Sequence, residues 1–418
     1  MPTSYNNNFL HFDNINLKQF SEESLTPYYL YSESLITDNF NTYVDSLREF
    51  NHLICYSVKA NSNLSILSIL AKQGSGFDIV SGGELQKVIA AGGDTKKVVF
   101  SGVGKTEEEI NYALDNKILC FNIESNDELI TINNLANKKG VTANVSFRVN
   151  PEINVDTHPY IATGMKDNKF GIDEKTVISL YDDASKLGSL KITGIDFHIG
   201  SQINSTSPFI DSIKKINNII TVLAERNIHL EHIDIGGGLG ISYESNVNSL
   251  SIKNFINELS PFLSKTGLKV IVEPGRSIVG KSGILVSKVL NIKSTPDKIF
   301  VVIDAGMNDF IRPALYNAEH NILPIVSSTS LKFTCDVVGP ICETADFIGK
   351  DKELHVKTGD YVAIEDVGAY GFSLASNYNV RPRPDEYIIS SDTKSIKKIR
   401  EREDYNDMVK SELKFLKT

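Results

Sequence analysis

Lys59 and His198 each end a run of β-forming residues, in CYSVKANSN and IDFHIGSQ, and both could do chemistry. A lysine that is partly shielded from water at a strand end can act as a Schiff-base nucleophile. An imidazole at a strand end can stack on a flat ring. The alternatives are a solvated lysine and a buried structural histidine.

Two glycine-containing segments follow later strand-like runs and could bind an anion. In Gly236–Gly240 (GGGLG), backbone N–H groups can converge on a phosphate because few Cβ atoms obstruct them, although a tight turn is the alternative. The spacing is not G-x-G-x-x-G, which disfavours a dinucleotide. In EPGR, Glu273 could hold a protonated ring nitrogen and Arg276 a phosphate or carboxylate; a helix cap with a surface salt bridge is the alternative. A lysine, a histidine, a glycine loop and a glutamate at strand ends together indicate that the cofactor is pyridoxal phosphate.

Elements that would position these residues recur along the first two thirds of the chain, where short apolar runs alternate with amphipathic helical stretches. Consecutive apolar residues are typical of parallel strands buried on both faces. Eight such units predict an α/β fold, a (β/α)8 TIM barrel, with catalytic groups at the carboxyl ends of its strands; a doubly wound open sheet is the alternative. The predicted strands are His52–Val58, Gly76–Val80, Lys97–Ser101, Ile118–Ile123, Val141–Val149, Thr193–Ile199, His232–Ile235 and Leu268–Glu273.

Beyond about residue 282 the pattern changes to strand-like runs separated by turns, which predicts a mostly antiparallel β domain. The strand-like segment Pro27–Ser32 precedes the barrel and is expected to pair into that domain. We therefore predict a barrel over residues 36–282 and a β-sandwich or barrel-like domain from residues 1–35 and 283–418. Residues 394–417 are predicted to form a charged amphipathic helix.

Composition limits the classes of function. Hydrophobic residues make up 41% and charged residues 23%, and the net charge is −9, so a nucleic-acid or anionic-membrane surface is not expected. Neither a secretory signal nor an apolar run of membrane-spanning length is recognisable, which favours a cytoplasmic protein. The four cysteines are far apart, so neither a disulfide framework nor a metal site is predicted.

Seven motifs, in order along residues 27–390, resemble those of the diaminopimelate decarboxylase family: YSVKANSN, FDIVSGGEL, FHIGSQ, DIGGGLG, EPGRSIVG, GPICETADFIGKD and GAYGFSLASNYNVRPRP. This family uses pyridoxal phosphate and has an alanine-racemase-like barrel. The resemblance implies that meso-2,6-diaminopimelate is decarboxylated to L-lysine and carbon dioxide, the last step of lysine biosynthesis. It also implies a homodimer with shared active sites.

The resemblance also implies roles for single residues. Lys59 corresponds to the lysine that carries the cofactor, His198 to the residue stacked on its ring, and Cys342 to a proton donor supplied by the opposite subunit. The positions that correspond to cofactor-binding residues are Lys59, Asp78, His198, Ser201, Gly237, Gly238, Glu273, Gly275, Arg276 and Tyr370. The positions that correspond to substrate-binding residues are Arg276, Arg312, Tyr316, Glu343 and Tyr370.

Three other functions compete with this one. A related decarboxylase could act on ornithine, arginine or carboxynorspermidine, but a purely cationic substrate tail should be met by an acid rather than by Arg276. A non-catalytic pyridoxal phosphate binder that regulates a decarboxylase would be expected to lack Cys342, Glu343 or Tyr370, and all three are present. An alanine-type racemase would require a tyrosine acid at the position of Cys342.

Overall fold

The computed structural model describes residues 2–153, 169–243, 250–329 and 331–416. The chain divides into two compact units. One, which we call the β unit, comprises Met1–Ile36, Ser242–Val247 and Ile278–Thr418. The other, the barrel unit, comprises Thr37–Ile241 and Asn248–Ser277. Among the described residues, no helix combines the length and the apolar character needed to cross a membrane.

The first elements of the chain belong mainly to the β unit. A small antiparallel sheet is formed by β1 (Thr3–Asn6), β2 (Phe9–Phe12) and β3 (Ile15–Asn16). It is followed by α1 (Leu17–Glu23), β4 (Tyr28–Ser32) and α2 (Glu33–Leu47). The side chain of Asn16 caps α1 by accepting a hydrogen bond from the backbone N–H of Lys18.

A closed barrel of eight parallel strands forms the centre of the barrel unit. Each strand pairs with the next, and the last one pairs with the first through Val270 opposite His52, which closes the ring. The short strand β10 pairs with β9 beside the ring. The eight strands of the ring are β5 (His52–Ser57), β6 (Gly76–Ile79), β7 (Val98–Phe100), β8 (Cys120–Ile123), β9 (Ala143–Asn150), β11 (Leu190–Asp196), β12 (His232–Asp234) and β13 (Lys269–Val272), and the additional strand β10 is Ile172–Asp173. The predicted (β/α)8 fold class is confirmed.

Helices alternate with the barrel strands, and most of them begin at a side-chain cap. For example, Thr106 and Glu109 form a reciprocal capping box at the start of α5. The helices are α3 (Leu64–Lys72), α4 (Gly82–Ala90), α5 (Glu107–Asp115), α6 (Asn126–Lys139), α7 (Glu174–Ala184), α8 (Ser207–Glu225), α9 (Ile252–Leu263) and α10 (Arg276–Val279).

Apolar side chains fill the interior of the barrel. Leu53, Cys55, Val99, Cys120 and Ile271 come from four strands and form one buried cluster. Burying an aliphatic side chain of this size contributes roughly 1.5–3 kcal/mol to stability. The strands are therefore fixed in register, and the residues at their carboxyl ends are held in place.

The rest of the β unit consists of β14 (Gly283–Ser294), β15 (Ile299–Ile303), α11 (Arg312–Tyr316), β16 (Ile322–Pro324), β17 (Phe333–Val338), β18 (Phe347–Leu354), β19 (Tyr361–Ile364), β20 (Asp385–Ile389), β21 (Ile396–Arg400) and α12 (Tyr405–Leu416). Its main sheet has the order β18-β17-β15-β14-β4-β20-β21, with β19 on β14 and β16 on β19. The pairings are antiparallel except β15 with β17 and β4 with β20. The expected pairing of Pro27–Ser32 into this unit is confirmed, because β4 lies between β14 and β20.

The prediction of a helix over residues 394–417 is wrong for the first part of this range. Ile396–Arg400 forms β21, which pairs antiparallel with β20, and α12 begins only at Tyr405. Ile396 packs against the core of the β unit, and β20 supplies hydrogen-bond partners for its backbone. These tertiary contacts outweigh the local helix propensity of the charged residues.

Candidate active site

Lys59 lies in a short 3-10 turn, Val58–Ala60, directly after β5. Its Nζ is 2.5 Å from Oδ2 of Asp78 at the end of the neighbouring β6, and Ser57 Oγ donates to the same oxygen over 2.8 Å. Asp78 is fully buried, and its Oδ1 has no hydrogen-bond partner among the described residues. The ion pair therefore fixes the Lys59 amine at the carboxyl-terminal end of the barrel, where the reactive groups of this fold lie.

His198 follows β11 and contacts the glycine loop. Its Nδ1 accepts a hydrogen bond from the backbone N–H of Gly237 over 3.2 Å, so the proton of the neutral ring lies on Nε2. Loss of hydration, and then the positive charges of Arg148 and Lys59, lower the pKa of His198 well below its usual value. The imidazole is therefore neutral near pH 7, as suits a ring that stacks on a flat cofactor rather than a general acid.

The glycine loop after β12 has a backbone that side chains would obstruct. Gly236 and Gly238 have φ angles of +66° and +109°, which other residues rarely adopt. A Cβ at position 237 would lie 2.2 Å from the carbonyl oxygen of Glu273. The backbone N–H of Gly236 donates to Asp234 Oδ1 over 2.9 Å. The loop thus needs glycine to bring its backbone close to neighbouring groups.

The segment Glu273–Arg276 lies against the turn that carries Lys59. The backbone N–H of Ser57 donates to the Pro274 carbonyl over 3.1 Å, and a Cβ at Gly275 would lie 2.9 Å from the Cβ of Ala60. The buried Arg276 donates from Nη2 to Ser201 Oγ over 3.1 Å. A cation, a hydroxyl and glycine backbone are the groups that phosphate oxygens prefer.

Three buried carboxyl groups, those of Asp196, Asp234 and Glu273, lie at the barrel interior with one oxygen of each within 4.8 Å of the others. Burial, followed by repulsion from neighbouring carboxylates, raises the pKa of Asp196 and Glu273 well above their usual values. Burial raises the pKa of Asp234 to about 7. A neighbouring positive charge, such as a protonated pyridine nitrogen, would lower these pKa values again and favour the charged carboxylate of Glu273. Carboxylates at this spacing can also ligate a metal ion. The expectation from the sequence that the protein has no metal site therefore stays a prediction.

Sequence reasoning missed Asp196, Asp234 and the buried ion pair between Arg148 Nη1 and Glu124 Oε1, at 2.8 Å. The period of a β-strand could have revealed the two aspartates, because Asp196 lies two residues before His198 and Asp234 two residues before Gly236. A charged residue that lies two positions from a motif residue in a strand is expected to point to the same side of that strand as the motif residue.

The remaining predicted site residues lie in the β unit. Arg312 and Tyr316 are the first and last residues of α11, and Arg312 is buried. Cys342 and Glu343 share the loop between β17 and β18. Tyr370 follows β19 and has a φ of +57°. Arg312 and Tyr316 therefore share one helix, Cys342 and Glu343 share one loop, and Tyr370 lies in a separate segment of the β unit.

The loop that carries Cys342 is held by a buried carboxylate. Asp346 accepts hydrogen bonds from the backbone N–H groups of Ile341, over 2.7 Å, and Met307, over 2.6 Å. Cys342 donates its own N–H to Asn379 Oδ1 over 2.8 Å. The Cys342 residue is exposed, whereas Cys55, Cys120 and Cys335 are buried. Cys342 is thus the one cysteine of the four that is accessible to solvent.

The carboxyl cluster should make the stability of the cofactor-free protein depend on pH. A folded-state pKa above the unfolded one means that the native state binds more protons, so the free energy of unfolding falls as pH rises. For Asp234 the fall should extend from pH 3.8 to about 7, with about 1.4 kcal/mol for each pKa unit. Asp234→Asn should flatten this slope in urea titrations between pH 4 and 8. The control is Asp38→Asn, at an exposed position, which should leave the pH dependence of the free energy of unfolding unchanged. An unchanged slope in Asp234→Asn would contradict the raised pKa of Asp234.

Residues 33–280 match the protein-family model described as "Pyridoxal-dependent decarboxylase, pyridoxal binding domain". The diaminopimelate decarboxylase of Vibrio cholerae is 46% identical over 383 residues, which cover 92% of this chain and 91% of that protein. The diaminopimelate decarboxylase of Neisseria meningitidis serogroup A is 46% identical over 388 residues, which cover 93% and 95% of the two chains.

Solved structures of diaminopimelate decarboxylases are similar to this chain over nearly its whole length. The Helicobacter pylori diaminopimelate decarboxylase complexed with L-lysine has a TM-score of 0.92 at 43% identity and covers 96% of this chain and 100% of its own. The enzyme of M. jannaschii in co-complex with L-lysine has a TM-score of 0.94 at 39% identity, with 98% and 97% covered.

Proposed function

Because this chain belongs to the diaminopimelate decarboxylases, within the pyridoxal-dependent decarboxylases, we propose that it converts meso-2,6-diaminopimelate to L-lysine and carbon dioxide. This reaction is the last step of lysine biosynthesis, and pyridoxal phosphate is the cofactor. The observation that carries the assignment is the 46% identity to a curated relative over 92% of the chain. It agrees with a lysine, a histidine, a glycine loop and a buried glutamate gathered at one end of the barrel.

The cofactor fits the residues of the barrel unit. The amine of Lys59 would attach it covalently, His198 would cover its ring, and the carboxylate of Glu273 would keep its nitrogen protonated. Asp78 holds Lys59 in place through their ion pair. The phosphate would be bound by Ser201, Gly237, Gly238, Gly275 and Arg276, with Tyr370 also assigned to it.

When bound, the cofactor supplies an electron sink for the electron pair left by the departing carbon dioxide. The protein orients the substrate and controls protons. The substrate carboxylate must be held so that the breaking bond is correctly aligned, which is a matter of positioning. The Cys342 thiol would then deliver a proton to Cα, and Glu343 lies next to it in the chain.

Arginines explain the choice of substrate. Diaminopimelate carries a second amino-acid head, with one carboxylate and one ammonium group. We assign the distal carboxylate to Arg276 and Arg312 and the distal ammonium to Glu343, with Tyr316 and Tyr370 as further substrate contacts. The alternative, a decarboxylase of ornithine, arginine or carboxynorspermidine, is less supported, because a cationic tail would not require buried arginines such as Arg312.

Product analysis tests the function directly. The purified protein, loaded with pyridoxal phosphate, should release carbon dioxide and L-lysine in equal amounts from meso-diaminopimelate. Mass spectrometry of the product together with carbon dioxide capture gives both quantities. Carbon dioxide without lysine, or no reaction with the cofactor bound, would contradict the proposal.

We propose further that the protein is a cytoplasmic homodimer in which Cys342 of one subunit serves the cofactor held by the other. The exposed position of Cys342 and the four free cysteines, which suit a reducing compartment, support this arrangement. We also propose residues 36–282 as the cofactor-binding domain and residues 1–35 and 283–418 as the second domain. The family match over residues 33–280 supports this division.

Mixing two inactive variants tests the shared site. In a Lys59→Ala and Cys342→Ala heterodimer, one of the two sites keeps both residues, so random exchange should restore about a quarter of the wild-type activity. Lys59→Ala mixed with Glu273→Gln is the matched control, because both residues belong to the same subunit's site and no site would be complete. If activity is recovered equally in both mixtures, or in neither of them, the proposal that the two subunits share each active site is contradicted.

A further inference from the structure

The guanidinium group of Arg312 contacts two aromatic side chains of the β unit, those of His320 and Tyr243. Its Nη1 is 3.0 Å from Nε2 of His320, and its Cζ is 4.7 Å from the ring centroid of Tyr243. Arg312 and His320 are 5% and 1% exposed. The guanidinium therefore has one hydrogen-bonded edge and one face covered by a ring, which restricts its orientation.

Hydrogen-bond chemistry fixes the tautomer of His320. Its Nδ1 lies 2.8 Å from the backbone carbonyl of Glu365, which can only accept, so Nδ1 carries the proton. An arginine can only donate, so Nε2 must present its lone pair to Arg312. Both contacts are satisfied by the neutral imidazole.

The surrounding structure keeps this imidazole in place. Its ring makes edge contacts with Tyr243 and Phe310, each with centroids 4.8 Å apart. The backbone N–H of Glu365, just after β19, donates to the carbonyl of Asn321 over 3.0 Å, next to His320. His320 thus connects Arg312 on a five-residue helix to the sheet of the β unit.

We propose that His320 is a positioning residue, and that with Tyr243 it orients the Arg312 guanidinium and thereby determines selectivity for ligands with a distal carboxylate. A fixed guanidinium loses less conformational freedom when it forms a bidentate pair with a carboxylate. His320 itself acts through Arg312 and does not contact the ligand. This inference rests on the proposed function, in which Arg312 binds that carboxylate.

Two ligands that differ by one carboxylate test the proposal: L-lysine and 1,5-diaminopentane. Their affinities for the holoenzyme are measured by calorimetry, which does not depend on turnover. In His320→Leu, which lacks the acceptor, the affinity for L-lysine should fall about tenfold while that for 1,5-diaminopentane changes less than about twofold. In His320→Gln, whose Oε1 can accept from Arg312, most of the affinity for L-lysine should return.

Controls separate orientation from folding. The exposed His229, replaced by leucine, should leave both affinities unchanged. If His320→Leu does not fold, Tyr243→Leu removes the ring contact of the Arg312 guanidinium and should show the same selective loss. Equal weakening of both ligands, or no weakening of L-lysine in a folded variant, overturns the proposal. Equal affinities of the wild-type holoenzyme for both ligands would instead contradict the assignment of Arg312 to the distal carboxylate. This result therefore separates a failure of the proposed function from a failure of the role of His320.

Discussion

Replacing Lys59 by alanine should reduce the decarboxylase activity by about 10⁴-fold or more. The amine is the nucleophile that would hold the cofactor covalently, and its position depends on Asp78, 2.5 Å away. Treatment of the holoenzyme with borohydride should reduce the imine and leave pyridoxal on a peptide that contains Lys59. The variant should show no such labelled peptide by mass spectrometry, although its glycine loop remains intact.

A matched lysine variant distinguishes this role from a general effect of charge. Lys87 on α4 is partly buried and donates to the Oγ and the carbonyl oxygen of Ser62, over 2.9 and 3.2 Å. Lys87→Ala should retain activity within about tenfold and the same labelled peptide. Labelling of another lysine, or activity that survives Lys59→Ala, would remove Lys59 from its assigned role.

The Glu273→Gln variant should lower kcat by about 10² to 10⁴-fold while the cofactor stays bound. Glutamine keeps the size of the side chain but lacks the negative charge that would keep the ring nitrogen protonated, so the electron sink weakens. The groups proposed for the phosphate, including Arg276 and Ser201, are not altered. The measurement is kcat with saturating substrate, together with the cofactor content of the purified variant.

Asp196→Asn is the control for this prediction, because it removes a carboxylate from the same buried cluster. If the charge of Glu273 acts on the ring nitrogen, Asp196→Asn should lower kcat by less than about tenfold. An equal fall in both variants would assign the effect to the charge of the cluster as a whole. A Glu273→Gln enzyme with kcat within threefold of wild type would contradict the role of Glu273.

The barrel could be predicted from the sequence because its strands are buried on both faces. Burial on both faces produces continuous apolar runs, such as the one that ends before Lys59. Parallel strands in a barrel also end at the same side, which explains why the sequence alone places Lys59 and His198 at one end of the barrel. Even the neighbourhood of Lys59 and Asp78 follows from the adjacency of consecutive strands.

Other features depend on contacts between distant parts of the chain. Strand β21, for example, lies within the range predicted to be helical, because its pairing with β20 rather than its local sequence determines its structure. The contact of Arg312 with His320 and Tyr243 has no signal in local periodicity, since Tyr243 lies far from both in the sequence. Similarly, the buried cluster around Glu273 arises only when β11, β12 and β13 lie side by side.

The most direct test of the central claim is carbon dioxide release from a panel of amino acids at equal concentration. The panel contains meso-diaminopimelate, L-ornithine, L-arginine and L-lysine, each with the enzyme loaded with pyridoxal phosphate. Because the proposed arginines require a distal carboxylate, kcat/KM for meso-diaminopimelate should exceed that for every other substrate by at least about 100-fold. Comparable values for ornithine or arginine would contradict the assignment of this chain as a diaminopimelate decarboxylase.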